Sequence, residues 1–89
     1  MKKIWVKSSA VGALTHGAKL MAPGVARLHD SIGRGDEVAL MTAKGEVVSL
    51  AESLQSSSEI MSLNKGVVAK HKRVIMEADV YPRIWGENK

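Results

Sequence analysis

The side chains with the widest chemical range are His16, His29 and His71, and they share no spacing that would bring them onto one metal ion. The chain has no cysteine, which closes off both thiolate ligation and disulfide bridging. Serines and aspartates are scattered, and no spacing among them argues for a nucleophile and its base. Gly33-Arg34-Gly35 lacks the third glycine of a dinucleotide loop and a clear strand before it, so it reads as a turn. Arg34-Gly35-Asp36 matches an integrin-type tripeptide, but with no secretion signal in the sequence the match reads as coincidence. No catalytic residue, metal ligand or cofactor is expected, and the chain is read as having no reaction of its own.

Binding chemistry is better represented. In Gly17-Ala18-Lys19-Leu20-Met21-Ala22-Pro23-Gly24-Val25, Gly17 can stop a helix, and the small Ala18 leaves room for a base or a backbone to approach. Free helix-end amides, the Lys19 charge and the Pro23-Gly24 bend would then frame a slot beside a sheet. A helix stop followed by an edge strand is the plainer reading of the same residues. The cations are unevenly placed. Residues 1–29 hold five bases and no acid, residues 30–64 two bases and six acids, and residues 65–76 four bases and no acid. Two basic segments far apart in sequence would form one anion-attracting patch if the fold joined them. Otherwise they are the solvated surface of a chain of net charge +4.

The elements that must position these residues are short. Ile4-Trp5-Val6 reads as a strand, and Ser8 or Ser9 as the cap of a helix of about eight residues that carries Val11 and Leu14 on one face and ends at Gly17. Lys19 to Val25 is bent by Pro23-Gly24 into a turn or sheet edge. Val38–Thr42 and Glu46–Leu50 form a hairpin about Lys44-Gly45. Ser56 with Glu59 three residues on is a capping box for a second short helix. Val67–Met76 is a long strand whose centre, Lys70-His71-Lys72-Arg73, faces water. Tyr81–Trp85 is expected to close the sheet against Ile4–Val6. With 89 residues the chain is one domain, and about six strands with two helices suggest a small mixed or partly open β-barrel. No apolar run approaches the roughly 18 residues of a membrane span, and no membrane partner is expected.

The Gly17–Val25 stretch resembles the signature of PUA domains. The resemblance continues through Asp36-Glu37-Val38, Thr42-Ala43-Lys44-Gly45-Glu46 and Ser56-Ser57-Ser58-Glu59. It narrows at Gly66-Val67-Val68-Ala69-Lys70-His71-Lys72-Arg73-Val74-Ile75-Met76-Glu77, which is similar to the PUA domain of the dyskerin family. Tyr81-Pro82-Arg83-Ile84-Trp85-Gly86 is similar to its eukaryotic form. The likeness covers about residues 4–86, inside a single domain of 1–89. It implies a mainly β pseudobarrel of about six strands and two helices that holds the ACA end and lower stem of an H/ACA guide RNA. A pseudouridine synthase domain absent from this chain would act on rRNA or snRNA in the nucleolus, alongside other H/ACA ribonucleoprotein core proteins.

Carried over residue by residue, the RNA pocket would use Gly17, Ala18, Lys19, Leu20, Pro23 and Gly24. Lys7, Lys72, Arg73 and Arg83 are added on charge alone as phosphate or base-edge contacts. Base-edge hydrogen bonds are expected from backbone amides at the Gly17 turn. About four phosphates held would give a salt slope near −3. Two departures from the family stand out: Ser8 where an acid is usual, and Ala78 where the eukaryotic form has arginine. The chain is read as a fragment of a longer enzyme, and as a monomer when isolated. Two other readings stay open, a stand-alone PUA adaptor in translation or ribosome assembly and a protein-docking domain. Trp5 and Trp85 are expected to pack together, Tyr81 to form a structural corner, and His71 to be exposed.

Overall fold

The computed structural model describes residues 1–77. The elements run β1 (Lys2–Val6), α1 (Ser8–Thr15), β2 (Leu20–Met21), a 3₁₀ turn (Ala22–Gly24), β3 (Val25–Leu28), β4 (Glu37–Met41), β5 (Val47–Ser53), α2 (Ser57–Ser62) and β6 (Val67–Val74). Six strands form one sheet in the order β2-β6-β5-β4-β1-β3. Its two edges, β2 and β3, are consecutive in the chain and joined only by the 3₁₀ turn at Pro23-Gly24. The sheet therefore curls until its edges meet through covalent chain, making a nearly closed pseudobarrel.

Alternation builds the inside. Ile4 and Val6 of β1, Val38 and Leu40 of β4, and Val68 of β6 are fully or almost fully buried. Val11 and Leu14 of α1, Leu20 of β2, and Ile60 of α2 close the barrel over them. The core is aliphatic, which is how a chain without phenylalanine fills it. The β4–β5 hairpin turns where expected: the Gly45 φ of 90° needs a glycine, and the Thr42 hydroxyl accepts from the amides of Lys44 (3.2 Å) and Glu46 (3.1 Å). Among the described residues no buried side-chain polar atom lacks a hydrogen bond.

Four expectations change. No serine caps α1; the helix begins at Ser8, Lys7 is the N-cap residue, and no side chain bonds the first turn. The Lys7 amide instead donates to the Gly24 carbonyl at 2.8 Å, so this helix end is fixed by tertiary contact. The Lys19–Val25 segment is divided between both sheet edges, and Val25–Leu28 forms a strand the sequence reading did not separate. β1 has β4 on one side and β3 on the other, leaving no edge for a further strand. The Tyr81–Trp85 segment lies outside the described residues.

His71 is half-buried and doubly bonded, not a free surface imidazole. Opposite Leu50 and Ala51 of β5 the register of β6 slips, pairing Leu50 with Arg73 and Ala51 with His71. The bulge turns His71 to the same side as the buried Ala51 and Ser49.

Candidate nucleic-acid interface

A cleft of about 310 Å³ lies between α1 and the segment that follows it. Ser9, Ala10, Ala13 and Leu14 form one wall; Ala18, Lys19, Leu20, Met21, Pro23 and Gly24 form the other. Such a volume is at the lower end of small-ligand pockets. The walls are mostly apolar and small, which suits a flat ring. Lys7, its backbone bonded to Gly24, precedes the helix, and Lys19 lines the cleft.

Local chemistry explains the shape. At the end of α1 the Gly17 amide donates to the Leu14 carbonyl (3.0 Å) and the Ala18 amide to the Ala13 carbonyl (3.0 Å). This pair of bonds is a Schellman cap, and it places Gly17 at φ 97°, where a side chain would be strained. Gly24 is glycine for a different reason: a Cβ there would meet Ala10 Cβ and Leu20 Cδ1, each at 3.2 Å. Glycine thus lets the helix lie this close to the corner without crowding Ala10 and Leu20. Pro23 supplies a fixed φ at the start of the 3₁₀ turn.

The cap overturns one expectation. The amides of Gly17 and Ala18 are occupied in ending the helix, so they are not available to a base edge. The next amide, that of Lys19, enters none of the turn and cap bonds.

Of the residues named from the sequence, Ala18, Lys19, Leu20, Pro23 and Gly24 line the cleft together. Gly17 shapes its rim without lining it. Lys72 and Arg73 do not line it; both are exposed on β6. Lys72 Nζ reaches across β5 to Glu37 Oε2 at 3.6 Å, and Lys70 Nζ lies 3.9 Å from Glu52 Oε1. Carboxylates on the neighbouring strands thus meet part of the β6 charge. Arg83 lies outside the described residues.

The two basic segments do adjoin. Leu20 of β2 pairs with Ala69 of β6 in antiparallel sense, so Lys19 comes beside Lys70, and the Ala18 carbonyl meets His71 Nε2 at 2.7 Å. Sequence reasoning missed the α1 wall of Ser9, Ala10 and Ala13, and it missed His71. The helix-face spacing of Ser9, Ala10, Ala13 and Leu14 could have indicated that wall. Nothing local could have indicated the His71 contact, which spans 53 residues.

Other chemistry lies elsewhere. The Arg27 guanidinium sits 4.2 Å over the Trp5 ring, and His29 meets that ring edge-on at 5.1 Å, so one face of this indole is already covered. Trp85, its expected partner, lies outside the described residues. The Arg34 guanidinium chelates the Glu59 carboxylate, which also accepts from the Ser56 amide at 2.8 Å; these contacts, Arg34 first, hold Glu59 down at about 2. Asp36 is held below the usual carboxylate range first by Lys2 Nζ at 2.8 Å and then by the Gly33 amide. A second groove, of about 440 Å³, lies between β3 and α2 beside exposed Met61. Among the described residues no group of three His, Asp or Glu side chains could hold a metal ion, and no helix is long and apolar enough to cross a membrane.

Comparison with known proteins places this architecture. A probable tRNA pseudouridine synthase B of Pyrococcus furiosus is 46% identical over 85 residues, 96% of this chain and 25% of that protein. The H/ACA ribonucleoprotein complex subunit CBF5 of Emericella nidulans is 52% identical over 85 residues, 96% of this chain and 18% of that protein. The chain therefore spans a quarter or less of the length of these relatives. A solved structure of an H/ACA RNP bound to a substrate RNA containing 2′-deoxyuridine superposes with a TM-score of 0.90 at 46% identity, covering 96% of this chain and 27% of that one. A family model described as the PUA domain matches residues 2–75. The match takes in the six strands, both helices and every described wall of the cleft, and the chain belongs to the PUA domain family.

Proposed function

We propose that this chain is the RNA-holding domain of an H/ACA pseudouridine synthase, gripping the unpaired ACA end and lower stem of a guide RNA in the α1–β2 cleft. The observation that carries the reading is the convergence of Ala18, Lys19, Leu20, Pro23 and Gly24 on one cleft, with the Lys7 backbone bonded to Gly24 beside it. Its relatives are pseudouridine synthases and H/ACA subunits, and the solved neighbour is an RNA-bound H/ACA particle. The catalytic domain would be elsewhere in the longer protein. The other H/ACA core proteins would be its partners, and the nucleus or nucleolus its site of action in a eukaryote. This chain's contribution is to fix the guide in place, not to transform the uridine.

Mechanistically, unpaired bases expose faces and edges that a duplex hides, and a small cleft with apolar walls can take a base ring. Lys7, Lys19 and Arg73 would hold phosphates without reading sequence. With Lys70 and Lys72 beside carboxylates, about three phosphates held gives a slope of log K on log salt near −2, at about −0.7 each.

The test is a titration of the 89-residue chain with a hairpin bearing a 3′ ACA tail and with a scrambled-tail hairpin, at two salt concentrations. The reading expects tighter binding of ACA, and expects Ala13→Glu to abolish the preference by putting an acid in the cleft at an exposed helical position. Equal, purely salt-dependent binding of both hairpins would instead indicate a generic phosphate grip, as for a stand-alone adaptor. No binding at all would favour a protein-docking domain.

A further inference from the structure

We propose that His71 is a positioning residue for the cleft, holding the Ala18–Lys19 peptide so that the Lys19 amide faces away from β6 as a hydrogen-bond donor. The proposal rests on the RNA-binding reading above and assigns that site a selectivity determinant.

The geometry is a relay across three elements. The Ala18 carbonyl can only accept, so His71 Nε2 carries the proton and donates to it at 2.7 Å. In the neutral ring Nδ1 then accepts from the Ser49 hydroxyl at 2.8 Å, and Ser49 is fully buried in β5. The acceptor-only carbonyl thus selects the tautomer, and the buried Ser49 hydroxyl anchors the half-buried imidazole that holds this carbonyl at the cleft rim. Ala18 is pinned on its other side too, because its amide closes the α1 cap on the Ala13 carbonyl.

The consequence follows from peptide planarity. In a trans peptide the C=O of one residue and the N–H of the next point in opposite directions, and no cis bond occurs in the described chain. Turning the Ala18 carbonyl toward β6 turns the Lys19 N–H away from it. Without the imidazole the Ala18 carbonyl loses this partner, and the plane can turn through ψ of Ala18 and φ of Lys19, two residues outside any helix or strand. Rotation would exchange a donor for an acceptor at the rim, and a site that reads base edges depends on that pattern. Phosphate contacts, made by long flexible lysines, would be indifferent to it.

The test compares His71→Leu, His71→Asn and His71→Gln in the 89-residue chain. Glutamine places an amide donor near the imidazole Nε2 position, whereas asparagine is too short to reach Ala18. Discrimination between ACA and scrambled hairpins should fall roughly two- to tenfold in the Leu and Asn variants, the span of one neutral hydrogen bond, and be retained in the Gln variant. The salt slope should be unchanged in all three. A second arm needs no RNA: amide exchange at Ala18 should quicken in the Leu and Asn variants while Ile60 in α2 keeps its wild-type rate. Wild-type discrimination with no loss in His71→Leu overturns the proposal. If the wild type does not discriminate, the RNA reading fails, and unchanged exchange at Ala18 then overturns the positioning claim as well.

Discussion

The N-terminal ends of the two helices of this domain are secured in different ways. α2 carries its own fastening: Ser56 accepts from the Glu59 amide, Glu59 returns a bond to the Ser56 amide, and Arg34 clamps the same carboxylate. The Ser57 hydroxyl adds bonds to the Ile32 amide and the His29 carbonyl. α1 has no capping side chain and no acid in its first turn. It is held by distant groups, through the Lys7 amide on the Gly24 carbonyl, the close approach of Gly24 to Ala10, and the His71 contact on Ala18. The start of α2 is thus closed by its own side chains as well as by distant partners. The start of α1 depends on backbone and packing contacts with the strands around it, and the cleft lies along it. A binding surface built on the second kind of helix inherits its geometry from the barrel.

The largest expected effect comes from cutting α1's support. Leu20→Ala removes a side chain that is 1% exposed and packs under Gly24. It should cost about 2–5 kcal/mol by chemical denaturation. The loss should extend to amide protection in α1 and β2, and a uniform loss that includes α2 would break the contrast between the helices.

A smaller effect separates the caps directly. Ser56→Ala should cost about 1 kcal/mol, whereas Ser9→Ala should stay within about 0.5 kcal/mol, because no serine caps α1. Equal costs at the two positions would show α1 to be side-chain capped in solution.

The smallest effect is the pH dependence of the α2 clamp. The folded Glu59 is held at about 2 against an ordinary 4.5, so its contribution is complete above about 4.5 and is lost as pH falls toward 2. Glu59→Gln keeps a capping-box side chain without the charge. The stability difference between wild type and this variant should therefore shrink on acidification between those limits. A pH-independent difference would mean the Arg34 pair contributes nothing as a charge pair, a common outcome for exposed ion pairs.

Much of the architecture was legible in the chain because it is written locally. The capping box at Ser56 and Glu59, the turn at Lys44-Gly45, the helix stop at Gly17 and the bend at Pro23-Gly24 each involve residues a few positions apart, and all are present in the fold. The site was legible in part for the same reason: Ala18, Lys19, Leu20, Pro23 and Gly24 are contiguous enough that one bend brings them to one cleft. Charge says less about the cleft itself, since it places a residue on a surface without saying which one. Lys72 and Arg73 are exposed on β6 outside the cleft, with Lys72 beside Glu37, a carboxylate from two strands away.

By itself, then, the sequence determined the family, the short elements and one wall of the cleft, because propensity, capping and turn chemistry act between near neighbours. The tertiary structure alone decided that the Gly17 and Ala18 amides are consumed by the helix cap, that both sheet edges meet at Pro23-Gly24, and that His71 holds the rim of the cleft. Those outcomes depend on strand register. A one-residue slip reverses which face a side chain occupies, and the bulge opposite Leu50 and Ala51 is what turns His71 inward to Ser49 and Ala18.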